Sequence, residues 1–187
     1  MRPEGFIEKL NKRLTRPLAR KLKGVYWITP DRITWFSFLV SGVLGPLAIL
    51  EGHLPLAGLL VLLGAWLDSL DGDLARERNV VSREGAILDA VLDRYIDLFL
   101  ISALIISCGR CLLPGLLSLI GSALVPYTRA KVEAMGKASV ATFASRDVRN
   151  LILVAGLLLN QPYLMLWGLA VLSNISALHR FVMGVRK

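Results

Sequence analysis

Residues 68–93 read D-S-L-D-G-D-L-A-R-E-R-N-V-V-S-R-E-G-A-I-L-D-A-V-L-D, a charged connector set between two long apolar runs. Asp68 and Asp71 are three residues apart, and Asp89 and Asp93 are four apart. On helices each pair projects from one face, so two antiparallel helix ends would bring four carboxylates together. A carboxylate deep in a membrane helix costs roughly 2.5 to 3.5 kcal/mol on insertion scales, and four of them repel one another. Something positive must offset this. Oxygen-only ligands suit hard divalent cations such as Mg²⁺, Mn²⁺ or Ca²⁺, and no Cys or His stands nearby to favour zinc. Two such ions bridging carboxylates would also hold a diphosphate.

The rest of the chain fits a bilayer. Of 187 residues, 55% are apolar and 19% charged, which is greasier than a soluble domain of this size. Six segments are long and apolar enough to be read as spans, near 33–51, 54–76, 86–108, 111–131, 148–160 and 162–183. The fifth is short, so it either begins earlier, near Thr142, or is shielded by its neighbours. No internal repeat is visible, which leaves the inverted-repeat architecture of many transporters without support. With these spans, 21 of the 22 basic residues fall on one side, and Arg110 alone falls on the other. The positive-inside rule makes the crowded side cytoplasmic, with both termini. The net charge of +8 sits beside apolar runs and points to lipid headgroups and phosphorylated substrates, not nucleic acid.

Ahead of the first span, Phe6, Ile7, Leu10, Leu14, Leu18 and Leu22 recur at helical spacing among Lys and Arg. This predicts an amphipathic helix on the membrane surface over residues 1–28, which Pro17 either kinks or restarts. The first 24 residues hold no apolar core before a cleavage site, so the mature chain is expected to begin at Met1. Trp27, Trp35, Tyr163 and Trp167 are placed as interfacial anchors. Cys108 and Cys111 form a lone CxxC without the further ligands of a zinc site, and are read as small apolar fillers.

The motif D-S-L-D-G-D-L-A-R, eight residues, then G-A-I-L-D-A-V-L-D matches each of the eight defined positions of the CDP-alcohol phosphotransferase signature. The chain resembles that family over most of its length, including Thr29, Pro30 and Thr34. Asp31 departs from the asparagine common there. The resemblance implies an all-α integral membrane enzyme with six transmembrane helices over residues 29–187, working as a homodimer. It implies that Asp68, Asp71, Asp89 and Asp93 bind Mg²⁺ or Mn²⁺, as two ions, and that Asp93 is the general base. Pro30, Thr34, Asp68, Gly72, Ala75 and Arg76 are implied to bind the CDP-lipid, the small residues letting it approach the helix. For Arg76 the alternative is a topogenic charge. Asp73 is expected to point elsewhere on its helix, and Asp97 to pair with Arg94.

The stretches P-Y-T-R-A-K-V-E-A and S-R-D-V-R resemble those of the inositol-phosphate and glycerol-phosphate branches, with Pro126, Lys131 and Ser145 as departures. Arg129, Lys131, Arg146 and Arg149 thus form a candidate pocket for the acceptor's phosphate, which suits arginine's planar fork. The alternative is that they only fix topology. The expected reaction joins CDP-diacylglycerol or CDP-archaeol to inositol phosphate and releases CMP, with glycerol phosphate as the second choice of acceptor. An ion-coupled transporter is the competing class, but its site would lie near the midplane between repeated halves.

Overall fold

The computed structural model describes residues 6–137 and 146–186, so the predicted start of the fifth span at Thr142, and Ser145, lie outside the described residues. All regular structure among them is helical. Helix α1 (Phe6–Leu22) precedes α2 (Pro30–Phe38), which runs through a π-helical segment (Leu39–Leu44) into α3 (Gly45–Leu50). Then follow α4 (Leu54–Arg78), α5 (Arg83–Ser107), α6 (Leu112–Ala134), α7 (Arg146–Leu158) and α8 (Pro162–Val185).

Local chemistry sets these boundaries. Thr29 caps α2, its side chain accepting from the Arg32 amide at 3.3 Å, with Pro30 in the first turn where a missing N–H is harmless. Asn79 ends α4 in the left-handed conformation at φ 56°, and Ser82 starts α5 by accepting from the Gly85 amide at 2.9 Å.

Three of the helical stretches are long and apolar enough to cross a membrane: Pro30–Leu50, Leu54–Arg78 and Pro162–Val185. Helix α5 has the length, but Asp89, Asp93, Arg94 and Asp97 interrupt its apolar run, and described α7 has only 13 residues. Large apolar side chains such as Leu59, Leu116, Ile175 and Phe181 are exposed all around the bundle. With the apolar helices, this outward face makes the chain a membrane protein.

Buried Ile49, Val61, Leu100, Leu104, Leu157, Leu166 and Leu169 form one core, shared by α3, α4, α5, α7 and α8. At the other end, α1 docks on α4 through a smaller cluster of Ala19, Ile33, Leu70 and Leu74. The amphipathic helix is therefore present, and it continues through Pro17 without a break. Its docked face carries Thr15 as well as Ala19, while Leu14 stays 60% exposed. Asp73 does point away from the other aspartates, into this contact: it accepts from the Thr15 hydroxyl and, at 2.8 Å, from Arg76.

At the opposite end Cys108 and Cys111 are joined as a disulfide across the α5–α6 connection, which corrects the reading of two apolar fillers. Closure is geometrically easy, since the short connection holds their Cα atoms 5.2 Å apart. Arg110 beside them lies over the Tyr163 ring, 5.3 Å from its centroid.

Small residues let the first span sit against α4. Ser37 donates to the Gly64 carbonyl at 2.8 Å, and a Cβ on Gly64 would come within 2.6 Å of Ser41 Cβ. Gly64→Ala is expected to destabilise the protein by about 1 to 3 kcal/mol. Gly109→Ala, where nothing lies within 4 Å of the added atom, should change stability by less than about 0.5 kcal/mol. Thermal unfolding in detergent separates the two; equal midpoints would contradict the close contact.

Candidate active site

The first span runs between α4 and α5 and contacts both, so the two helices that carry the aspartates are held apart by a third. The interrupted connector at Asn79–Ser82 then turns the chain back, bringing α4 and α5 to a common point. There one carboxylate oxygen each from Asp68, Asp89 and Asp93 lies within 4.8 Å of the others. Asp71 stands outside that trio. Its carboxylate accepts the Thr34 hydroxyl at 2.6 Å, which ties the first span to α4.

An all-carboxylate set at this spacing fits a hard divalent cation, which accepts several oxygens and draws together groups that otherwise repel. The structure also shows a counter-charge that the sequence reading assigned elsewhere. Arg146, in the first turn of α7, donates to Asp68 at 3.1 Å through one guanidinium nitrogen and to Asp93 through the other. One turn further, buried Arg149 meets Asp97 at 3.2 Å, and Arg94 meets the same oxygen at 2.7 Å, giving the expected Arg94–Asp97 pair a second cation.

The four residues expected to hold the acceptor's phosphate are thus not all brought together. Arg146 and Arg149 converge beside the aspartates, whereas Arg129 and Lys131 lie exposed at the end of α6, with Arg129 paired to Glu133 at 2.9 Å.

Beside the trio opens a cavity of about 900 Å³. Pro30, Thr34, Gly72, Ala75 and Arg76 line it together with Asp71 and Asp89, so five of the six residues read as CDP-lipid ligands share one wall system. Gly72 leaves bare backbone on that wall: the nearest atoms to a Cβ there are the flexible tip of Arg76, at 3.3 Å, so protein packing does not demand the glycine. Arg76 keeps its ion pair with Asp73 while its side chain remains 58% exposed. Asp31 lines the cavity too, next to Gly85.

Residues 27–175 match the family model for CDP-alcohol phosphatidyltransferase. The chain belongs to that family. Among relatives, an archaetidylinositol phosphate synthase of Pyrococcus horikoshii is 31% identical over 178 residues, covering 94% of each chain. A bifunctional IPC transferase and DIPP synthase of Rubrobacter xylanophilus is 38% identical over 161 residues, or 83% of this chain. The match spans only 37% of that longer relative. Among solved structures, the phosphatidylinositol phosphate synthase of Mycobacterium tuberculosis with CDP-DAG bound superposes with a TM-score of 0.83 at 28% identity, covering 92% of this chain and 94% of that one. A second structure of the same mycobacterial protein is a complex with manganese and citrate, at 29% identity and TM-score 0.83, covering 91% and 88%.

For this member of the CDP-alcohol phosphatidyltransferases, Asp68→Asn and Asp89→Asn are each expected to weaken Mn²⁺ binding about tenfold or more, since each removes a charged ligand from a three-carboxylate group. Electron paramagnetic resonance during a Mn²⁺ titration of the purified protein reads this directly. Wild-type affinity in both variants would remove the trio as a cation site.

Proposed function

We propose that the chain transfers the phosphatidyl or archaetidyl group of a CDP-activated lipid to a phosphorylated alcohol, inositol phosphate before glycerol phosphate, and releases CMP. The observation that carries this reading is a carboxylate trio whose Asp89 lines, with Asp71, a cavity bordered by Pro30, Thr34, Gly72, Ala75 and Arg76. The names of the inositol-phosphate synthases among its relatives point to the same acceptor.

In this reading Asp68, Asp71, Asp89 and Asp93 hold two ions, Mg²⁺ or Mn²⁺, and bound there these supply positive charge to the diphosphate and to the departing CMP. The chain's own residues do the remainder. The cavity wall at Gly72 and Ala75 admits the nucleotide close to the helix backbone. Asp93 takes the proton of the acceptor hydroxyl while that oxygen bonds to the lipid-side phosphorus, and the bond from this phosphorus to the CMP oxygen breaks, its electron pair leaving with CMP. Arg146 bridges the two halves of the task. Its fork orients Asp93, and it stands in the first turn of α7, where an acceptor's phosphate would meet it and Arg149.

Residues 29–187 act as the catalytic domain in six spans, and residues 1–28 as a juxtamembrane helix. The basic residues set both termini and the site on the cytoplasmic side of the cell membrane, and the working form is a homodimer. The family match and the lack of any visible internal repeat favour the enzyme over an ion-coupled transporter.

Purified protein given CDP-diacylglycerol or CDP-archaeol with Mg²⁺ or Mn²⁺ should release CMP fastest with inositol phosphate, more slowly with glycerol phosphate, and negligibly with serine or free inositol. Asp93→Asn should lower kcat by about 10²- to 10⁴-fold, the range of a positioned base, while CMP binding persists. A preference for serine or free inositol refutes the phosphorylated acceptor, and near-native turnover of Asp93→Asn moves the base elsewhere.

A further inference from the structure

The cavity has a wall that the family motif does not supply. Lys23, Gly24 and Tyr26, from the connection between α1 and α2, line it together with Gly72, Ala75 and Arg76. The end of α1 and the connection after it have backbone carbonyls that need partners. Three of them share one. Arg78, in the last turn of α4, donates to the Ile28 carbonyl at 2.7 Å through one guanidinium nitrogen, and to those of Leu22 and Val25 at 2.6 and 2.9 Å through the other. The connection is curled around a single guanidinium that also borders the cavity.

Two further contacts hold the same corner. Thr15 donates to buried Asp73, and Arg20 meets Glu77 at 3.2 Å, so α1 is fixed to the same helix end from which Arg78 reaches out. Exposed Lys23 is thereby carried on the lining of the same cavity as Arg76.

We infer that Lys23 binds the diphosphate of the CDP-lipid and that Arg78 is a positioning residue, acting on substrate only by holding the Leu22–Ile28 connection on the cavity wall. The inference rests on the cavity being the CDP-lipid site. A lysine ammonium gains most when its target is a phosphate oxygen in a partly enclosed site. Arg78 contributes through geometry: three charge-assisted hydrogen bonds to carbonyls fix a segment whose own backbone bonds are two short turns, the Val25 amide to the Leu22 carbonyl and the Ile28 amide to the Val25 carbonyl.

The test uses the full chain and four variants, Lys23→Gln, Arg78→Gln, Arg78→Lys and the double Lys23→Gln/Arg78→Gln. The readouts are the KM for CDP-diacylglycerol, the KM for inositol phosphate, kcat, and the Kd of CMP by calorimetry. Lys23→Gln and Arg78→Gln should each raise the CDP-diacylglycerol KM and the CMP Kd by about tenfold, the size of one lost charged hydrogen bond, with the inositol phosphate KM moved less than about twofold. Arg78→Lys, which can still reach some of the carbonyls, should fall between. The double variant should be less than about twofold worse than Arg78→Gln alone, because the cation has already left its wall.

A merely structural role for Arg78 would lower thermal stability without this KM split, and that result overturns the inference. So does a Lys23→Gln variant with wild-type CMP affinity, which decides the matter even where Arg78→Gln fails to fold. Wild-type protein that releases CMP but ignores Lys23→Gln overturns this inference alone; wild-type protein that binds no CMP overturns the functional reading with it.

Discussion

Carboxylates drawn together between membrane helices are the constraint on which the rest of this structure depends. Asp68, Asp89 and Asp93 lie close enough to share one cation, and no arrangement of apolar helices would hold them there unaided. The fold answers with the Arg146 fork across Asp68 and Asp93 and with the Arg94–Asp97–Arg149 network one turn deeper. Asp68, Asp93 and Asp97 thus each have an opposite charge within hydrogen-bonding distance, and α7 is fixed to α4 and α5 at the site itself. Helix packing and site chemistry are here the same set of contacts.

That coupling explains what could be read from sequence and what could not. The aspartates were legible because helical spacing alone puts Asp68 and Asp71, and Asp89 and Asp93, on common faces, and because eight fixed positions match one signature. Pro30, Thr34, Gly72, Ala75 and Arg76 were legible through the same resemblance, and the structure gathers them around one cavity. Long-range pairing left no such trace. Nothing in the spacing of Arg146 shows that its fork closes on residues 78 and 53 positions away, nor that Thr15 answers Asp73 across 58 residues. Arg78 left no trace either, since a guanidinium that meets backbone carbonyls has no side-chain partner in the sequence to betray it.

Hydropathy carried the reading of the bundle further than helix length did. The six apolar segments all coincide with helices, but ionisable residues dilute α5, the polar end of α6 from Tyr127 to Glu133 dilutes that helix, and α7 as described is short, so three helices meet a simple length-and-apolarity criterion. Two of the three that miss it, α5 and α7, carry residues of the site. A membrane segment that supplies carboxylates and arginines to a site gives up part of its lipid-like character. The other surprise, the Cys108–Cys111 disulfide, arises from the same limitation in miniature: a CxxC is ambiguous until the turn that holds it is known.

The π-helical segment Leu39–Leu44 gives the first span a phase as well as a length. Before it, Thr34 and Ser37 present hydroxyls to Asp71 and Gly64; after it, Ala48 and Ile49 pack into the apolar core. A widened turn accommodates an extra residue, and one residue of α-helix is worth about 100° of rotation. Removing a single residue from Leu39–Leu44 would let the span run as an ordinary α-helix and turn its two ends out of step. Either the hydroxyls would face α4 or the apolar residues would face the core, not both. Homologous chains that share this site are therefore constrained in the number of residues between Ser37 and Ala48 more tightly than in their identity, and a loss there would need a compensating gain within the same span.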